Sequence, residues 1–417
     1  MCAYLINGGR PLSGSIVSES AKNAVLPMLA ASILTEETTV IKNCPKIGDV
    51  IAMREILTYL GVSSEFSGND IIINASKIKY RPILGDLSAK LRSSVFLAGA
   101  LLSRFNLAEI AYPGGCKIGK RPLDIHVSVL RQSGATVNET EESIFCVKST
   151  ESCGIIRLRY PSVGATENAI LCSVLSKGET FVTGAAEEPE IRDLANFLNS
   201  MGARIYGAGS KIIKIEGVKR LHGTEFTPIP DRIEIGTYLV SAAITGGEVE
   251  IKGANTKNLF SLINKFCDNT CKINISNDII YLKSGSVRKR FNVTTGPYPD
   301  FPTDMQPQML ALAAVSKGTS LIKETVFENR FGYAEELVKM GARIRVKDNL
   351  AVVRGVNSLI GAEVTAGDLR GGAALVLAGL SANGTTKVNG VSHIERGYYN
   401  FIEKLKSLGA DVSVTKD

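Results

Sequence analysis

The chain has 417 residues, 44% of them hydrophobic and 21% charged, a composition that suits a globular protein of two or three domains. Lysine and arginine number 48 against 41 acids, a net charge of +7, with no tryptophan and 6% aromatic content. This argues against a nucleic-acid surface, which wants basic clusters interleaved with exposed aromatics, and the longest apolar runs, near Val95–Leu102 and Ala373–Leu380, are too short to span a bilayer.

The first ten residues, Met1 to Arg10, hold no apolar stretch of signal-peptide length. Eight cysteines are scattered without zinc spacing, and there are three histidines. Reduced thiols in a cytoplasmic protein are the simplest account. Tyr4 to Val17 reads as a strand that completes the second of two domains.

From there a phrase recurs six times: an apolar helix, a turn containing glycine, then a β-branched strand. It runs Ala24–Leu34 into Thr38–Ile41, Ser94–Leu102 into Glu109–Ala111, and Asn168–Leu175 into Thr180–Val182. The later copies run Tyr238–Ile244 into Glu248–Ile251, Met309–Val315 into Ser320–Ile322, and Ala373–Leu380 into Thr385–Val388. Each copy continues into an amphipathic helix and a Gly-small phrase, as in Leu60-Gly61-Val62, Ser133-Gly134-Ala135, Met201-Gly202-Ala203, Met340-Gly341-Ala342 and Leu408-Gly409-Ala410. The fourth copy, Asn269-Thr270-Cys271, is degenerate, and the period is about 70 residues. The first helices are apolar nearly all round and are expected to be buried; the second are expected to lie outside. The unit is βαβαββ, the fold class α/β (α+β), with three repeats closing each of two similar domains. Pro-x-Pro at Thr227-Pro-Ile-Pro230 marks the junction. The expected domains are 22–229 and 1–21 with 230–417.

Within the second repeat, Pro113 to His126 gathers a thiol (Cys116), three cations (Lys117, Lys120, Arg121), three glycines and a carboxylate (Asp124). Gly114, Gly115 and Gly119 permit backbone angles and close ligand approach that other residues resist. A thiol beside several cations shifts towards thiolate. Gly114-x4-Gly119-Lys120 imitates a P-loop, but Arg121 stands where Ser or Thr would reach magnesium. An anion held by cations fits better than a nucleoside triphosphate held through a metal.

Polar residues open the buried helices: Lys22, Arg92, the Thr166-Glu167-Asn168 turn, Asp231, Asp304 and Arg370. Asp231 and Asp304 read as caps. Lys22, Arg92 and Arg370 oppose the helix dipole and need an anion nearby. His126 and His393 read as structural.

These stretches carry a resemblance. Ala21-Lys22-Asn23-Ala24, Leu91-Arg92-Ser93-Ser94, Pro113-Gly-Gly-Cys116, Gly119-Lys-Arg-Pro-Leu-Asp124 and Ser162-Val-Gly-Ala-Thr166 come first. Pro230-Asp-Arg-Ile-Glu234, Phe301-Pro-Thr-Asp-Met-Gln306, Glu324-Thr-Val-Phe-Glu-Asn329, Asp368-Leu-Arg370 and Glu395-Arg-Gly-Tyr398 follow. Over essentially its whole length the chain resembles the UDP-N-acetylglucosamine enolpyruvyl transferases. The sister enzyme, 5-enolpyruvylshikimate-3-phosphate synthase, shares the fold and lacks the cysteine loop.

The resemblance implies two inside-out α/β barrel domains closing over phosphoenolpyruvate and UDP-N-acetylglucosamine, with the active site in the cleft between them. The implied product is the enolpyruvyl ether of the sugar 3-hydroxyl, the first committed intermediate of peptidoglycan, formed through a tetrahedral intermediate with loss of phosphate. Cys116 would be the general acid and the target of fosfomycin-type epoxides. Lys22, Arg121 and Arg396 would clamp phosphate and carboxylate, with Asn23 and Arg92 lining the same cleft. Arg121, Pro122, Leu123, Asp124 and Ile125, with Ser162, Val163 and Gly164, would hold the uridine diphosphate. Asp304 would be the base on the sugar hydroxyl, Val326 beside it, with Asp231, Asp368 and Arg370 in support. The expected protein is a cytoplasmic monomer with small-molecule substrates, no nucleic-acid or membrane partner, no cofactor and no metal.

The chemistry agrees independently. Adding an alcohol across an enol ether needs a proton delivered to one carbon and another removed from the attacking oxygen, hence an acid facing a base. Some positions depart from the family pattern: Tyr160, Tyr298, Glu19-Ser20 and Gly371-Gly372. The last pair bears on the rigidity of the Arg370 turn.

Overall fold

The computed structural model describes residues 2–114, 122–149 and 154–416. It comprises two compact units, one of residues 20–114 and 122–229, the other of residues 2–19 and 230–416.

In the first unit three helices, Lys22–Ala31, Phe96–Phe105 and Val163–Ser173, pack on one another. They are apolar nearly all round, so no face can be left to water. Every residue from Ala24 to Ala31, and from Ala165 to Ser173, is buried. Sheets cover them. One has the order Glu225–Phe226, Thr39–Ile41, Asp70–Asn74, Ser63–Ser67; another Gly154–Arg157, Glu179–Thr183, Ile212–Glu216, Arg204–Tyr206. In each, the first two strands are parallel and the remaining neighbours antiparallel. The third sheet, Leu107–Ala111, Ser143–Lys148, Ala135–Glu139, has an isolated parallel bridge from Ile83 to Ile110 in the place of the leading strand.

The second unit repeats the plan around Arg232–Thr245, Gln306–Ala314 and Leu369–Ser381. Its sheets run Ser13–Val17, Glu248–Lys252, Ile279–Lys283, Lys272–Ser276, and Val293–Thr294, Thr319–Lys323, Leu350–Arg354, Arg343–Lys347. The third runs Glu363–Thr365, Thr385–Asn389, Cys2–Asn7, Asp411–Lys416.

The segment from Tyr4 to Val17 is therefore two strands in two sheets, not one. Gly9 turns the chain with φ 85°, and Pro11 has no N–H for a ladder. The third buried helix likewise starts at Val163, so Thr166, Glu167 and Asn168 lie inside it and not at its entry.

The recurring glycine has a conformational cause. Gly61, Gly134, Gly202, Gly341 and Gly409 follow the outer helices with φ between 85° and 93°, the left-handed region that ends a helix. In the degenerate copy Thr270 stands there with φ 73°, its Oγ1 donating to the carbonyl of Val287 at 2.5 Å. Among the described residues no helix is long and apolar enough to cross a membrane.

Candidate active site

Lys22 opens its helix, and its Nζ lies 2.8 Å from Asp49 Oδ2, in the first turn of the Gly48–Tyr59 helix. Lys22 thus has a protein carboxylate beside it. Asn23 is half-buried on the same turn, and Arg92 begins the short turn Arg92–Val95 ahead of Phe96–Phe105.

Asn168 joins several expected residues, although sequence reasoning took it only for a helix-entry residue. Fully buried, it donates from Nδ2 to the carbonyl of Val95 at 3.0 Å, lies 2.9 Å from His126 Nδ1, and accepts from the Gly99 N–H at 3.0 Å. The turn after Arg92, the Asp124–Gln132 helix and the Val163–Ser173 helix are thereby locked together. Asp124 pairs with Arg159, Leu123 is buried, and Pro122 and Ile125 flank them. Ser162 caps its helix, accepting from the Ala165 N–H at 3.4 Å, and Val163 and Gly164 form the first turn. Such a start offers N–H groups and a positive dipole to an anion.

Behind that turn sit acids of which the sequence suggested only Glu167, as part of a helix entry. Glu167 is fully buried, and burial, with Glu190 and Glu188 near it, raises its carboxyl well above the usual range. Burial likewise pushes Asp193 up to about 7, against the stabilising N–H of Ile229. The signal was present as the run Glu187-Glu188-Pro189-Glu190 entering a helix.

In the other unit Asp231 and Asp368 are helix caps. Asp231 Oδ1 accepts from the N–H groups of Ile233 and Glu234 at 2.8 and 3.0 Å, and Asp368 Oδ1 from those of Arg370 and Gly371 at 2.9 Å each. Asp304 sits in the turn Thr303–Met305 and receives Arg330 Nη2 on Oδ1 at 3.0 Å and Arg370 Nη2 on Oδ2 at 3.2 Å. Arg370 therefore has an anion within the protein, Asp304, opposite its guanidinium. Burial opposes the Arg370 charge, but Tyr398, Asp304 and Asp231 outweigh it and hold the guanidinium protonated.

Gly371 does not loosen this turn. A Cβ there would fall 2.5 Å from Asp368 Oδ2 and 2.9 Å from Tyr333 Cβ, so a tight approach requires the glycine. Val326 donates its N–H to Glu324 Oε1 at 2.8 Å. Arg396 is half-buried at the end of the turn Ser392–Glu395. Of the family departures, Tyr160 is exposed, and the Arg232 guanidinium lies 5.9 Å from the Tyr298 ring.

Cys116 and Arg121 lie outside the described residues. Just ahead of them, a Cβ on Gly114 would lie 1.8 Å from the carbonyl oxygen of Ala89. That glycine answers backbone packing, where the sequence suggested ligand approach. Arg330 was not picked out by sequence, and Glu324 only as part of a motif. Chemically, Asp304 is a partly exposed carboxylate facing two cations, a group of the kind that can take a proton from a hydroxyl.

The family model of EPSP synthase (3-phosphoshikimate 1-carboxyvinyltransferase) matches residues 6–405. The chain is 49% identical, over 99% of each sequence, to UDP-N-acetylglucosamine 1-carboxyvinyltransferase 2 of Caldanaerobacter subterraneus subsp. tengcongensis. It is 44% identical, again over 99% of each, to the protein of the same name from Clostridium tetani. Among solved structures, the enolpyruvyl transferase NikO of Streptomyces tendae superposes with a TM-score of 0.88 at 26% identity, covering 100% of this chain and 99% of that one.

Proposed function

We propose, for a chain that belongs to the EPSP synthase family of carboxyvinyltransferases, the activity its near relatives are named for. The protein transfers the enolpyruvyl group of phosphoenolpyruvate to the 3-hydroxyl of UDP-N-acetylglucosamine and releases phosphate, a step of peptidoglycan synthesis. The observation that carries this is near-half identity over essentially the full length of a protein bearing that name.

The finer reading is ours. Cys116 protonates the methylene carbon of phosphoenolpyruvate while Asp304 takes the proton of the sugar hydroxyl, whose oxygen bonds to the adjacent carbon. Loss of phosphate from that tetrahedral adduct, and of a proton from the new methyl group, restores the double bond in the product. Lys22, Arg121 and Arg396 neutralise phosphate and carboxylate, Asn23 completes that lining, Arg92 in the same cleft binds the sugar nucleotide, and neither a cofactor nor a metal is needed for the step. The first turn at Ser162, Val163 and Gly164 and the segment Arg121 to Ile125 take the diphosphate, with Val326 against the sugar. Support comes from Asp304, which has a cation on each oxygen and is partly exposed. In the same reading, the chain forms two inside-out barrels, 22–229 and 1–21 with 230–417, and works as a cytoplasmic monomer.

The test is phosphate release from phosphoenolpyruvate with and without UDP-N-acetylglucosamine. Release only with both supports the reading. Release with shikimate 3-phosphate in place of the sugar nucleotide would assign the sister activity instead.

A further inference from the structure

We propose that Arg330 is a positioning residue of this reaction, holding the Asp304 carboxylate at the angle from which it takes the hydroxyl proton; this rests on Asp304 being the base. The observation is a closed circuit of contacts within one unit. Arg330 Nη2 donates to Asp304 Oδ1 at 3.0 Å and lies 3.5 Å from the carbonyl oxygen of Thr303. Thr303 Oγ1 donates to Glu324 Oε2 at 2.9 Å. The other oxygen of Glu324 accepts from the N–H groups of Val326 at 2.8 Å and Phe327 at 3.1 Å. The Phe327 ring then lies 5.4 Å from the Arg330 guanidinium, which closes the circuit.

Stability does not account for Arg330. It is 3% exposed, and its Nε is buried with no hydrogen-bond partner. A desolvated guanidinium with an idle donor is a poor way to hold a core together, and apolar residues of similar volume often replace buried ion pairs without loss. Its geometry suits another purpose. One arginine alone would leave the carboxylate free to rotate about Cβ–Cγ. Arg370 on Oδ2 and Arg330 on Oδ1 fix both oxygens. Arg370 is anchored elsewhere, on a helix capped by Asp368 and against Tyr398. Arg330 alone of the two is tied to the turn bearing Val326, so occupation of that turn and the aim of the base are linked through it.

Arg330→Met, Arg330→Lys, Asp304→Asn and the Arg330→Met/Asp304→Asn double variant are compared by phosphate release across pH. For Arg330→Met the expected result is a kcat lower by about 10–100-fold, the usual range for a supporting residue, with KM for phosphoenolpyruvate within about twofold. The acidic limb of kcat should move to higher pH, because one of two cations facing Asp304 is gone; Arg370 remains, with Asp231 and Tyr398 acting on it. Arg330→Lys should restore the limb but not the rate, since an ammonium supplies charge without the planar fork. The double variant should be no slower than Asp304→Asn. A parent-like kcat in Arg330→Met, or losses that multiply in the double variant, overturns the proposal. Should Arg330→Met fail to fold, Arg330→Lys decides: parent-like kcat overturns the proposal, and a lowered kcat with an unmoved limb supports it. A fully active Asp304→Asn overturns the assignment of the base itself, an outcome distinct from an active Arg330→Met beside an inactive Asp304→Asn.

Discussion

Lys22 and Asp304 are both charged groups already paired inside the protein, and the pairing sets what each can do. Lys22 sits at a helix N-terminus, where the dipole repels it, and Asp49 at 2.8 Å offsets part of that repulsion. A dianionic substrate would meet a cation already placed. Replacing Lys22 or Arg396 by Ala is expected to weaken phosphoenolpyruvate use by about 2–4 kcal/mol while sparing sugar-nucleotide affinity; kcat/KM and calorimetric titration of the two ligands check this. If Cys116 is the acid, Ser is too weak a proton donor, so Cys116→Ser should lose most turnover. Cys116→Asp should retain measurable turnover with an optimum shifted to acid and should resist epoxide alkylation. Asp193 offers a test of stability. Its carboxyl titrates at about 7 when folded, against 3.8 unperturbed. Between those values the unfolded chain releases a proton that the folded one keeps, so stability falls as pH rises from about 4 to 7. Asp193→Asn can still accept from Ile229, so it should be more stable than the parent at pH 8, by about 4 kcal/mol, and no different near pH 4. Thermal melts across that range decide it.

The elements differ in how plainly the chain announced them. The buried helices were visible because burial on all sides leaves no polar stripe, a property of adjacent residues. The outer helices and their glycines were visible for the same local reason, each Gly-small phrase marking a left-handed stop. What escaped was set by residues distant in sequence. Nothing near Arg330 announces that it will meet Asp304, and Asn168 looked like a helix entry because its partners, Val95, Gly99 and His126, lie 42 or more positions earlier. The break between Cys2–Asn7 and Ser13–Val17 was written in Gly8-Gly9-Arg10-Pro11, but an alternating apolar pattern on both sides concealed it. Lys22, Asp304 and Arg370 were each singled out from sequence, and the anion opposite Arg370 proved to be another residue of that set. The cap at Asp368 gives a prediction of its own. Asp368→Ala should cost about 1 kcal/mol of stability, and it should lower kcat further, because the Arg370 turn hangs from that carboxylate. Asp368→Asn, which can still cap, should recover the melting temperature and most of the rate.

At the scale of the molecule the two units are built from the same repeat but from differently arranged chain. The stretch from 20 to 229 holds every described residue of the first unit, and the last short strand, Glu225–Phe226, returns to pair with Val40 and Ile41. A fragment of these residues is expected to fold alone and melt cooperatively. Residues 230–417 alone should not, since they lack one strand in each of two sheets, and calorimetry of both fragments checks the contrast. The missing strands are Ser13–Val17 and Cys2–Asn7, and Cys2–Asn7 lies between Thr385–Asn389 and Asp411–Lys416. During synthesis this has a cost in time. Cys2–Asn7 is made long before Thr385–Asn389 and Asp411–Lys416, its two neighbours in the sheet, while the other unit forms in between. Until those strands are made, the apolar side of Cys2–Asn7, with Tyr4 and Ile6, has no neighbouring strand to pair with. Nascent chains stalled before Thr385 should therefore be the ones that chaperones hold, and emergence of Asp411–Lys416 should be the event that seals the sheet.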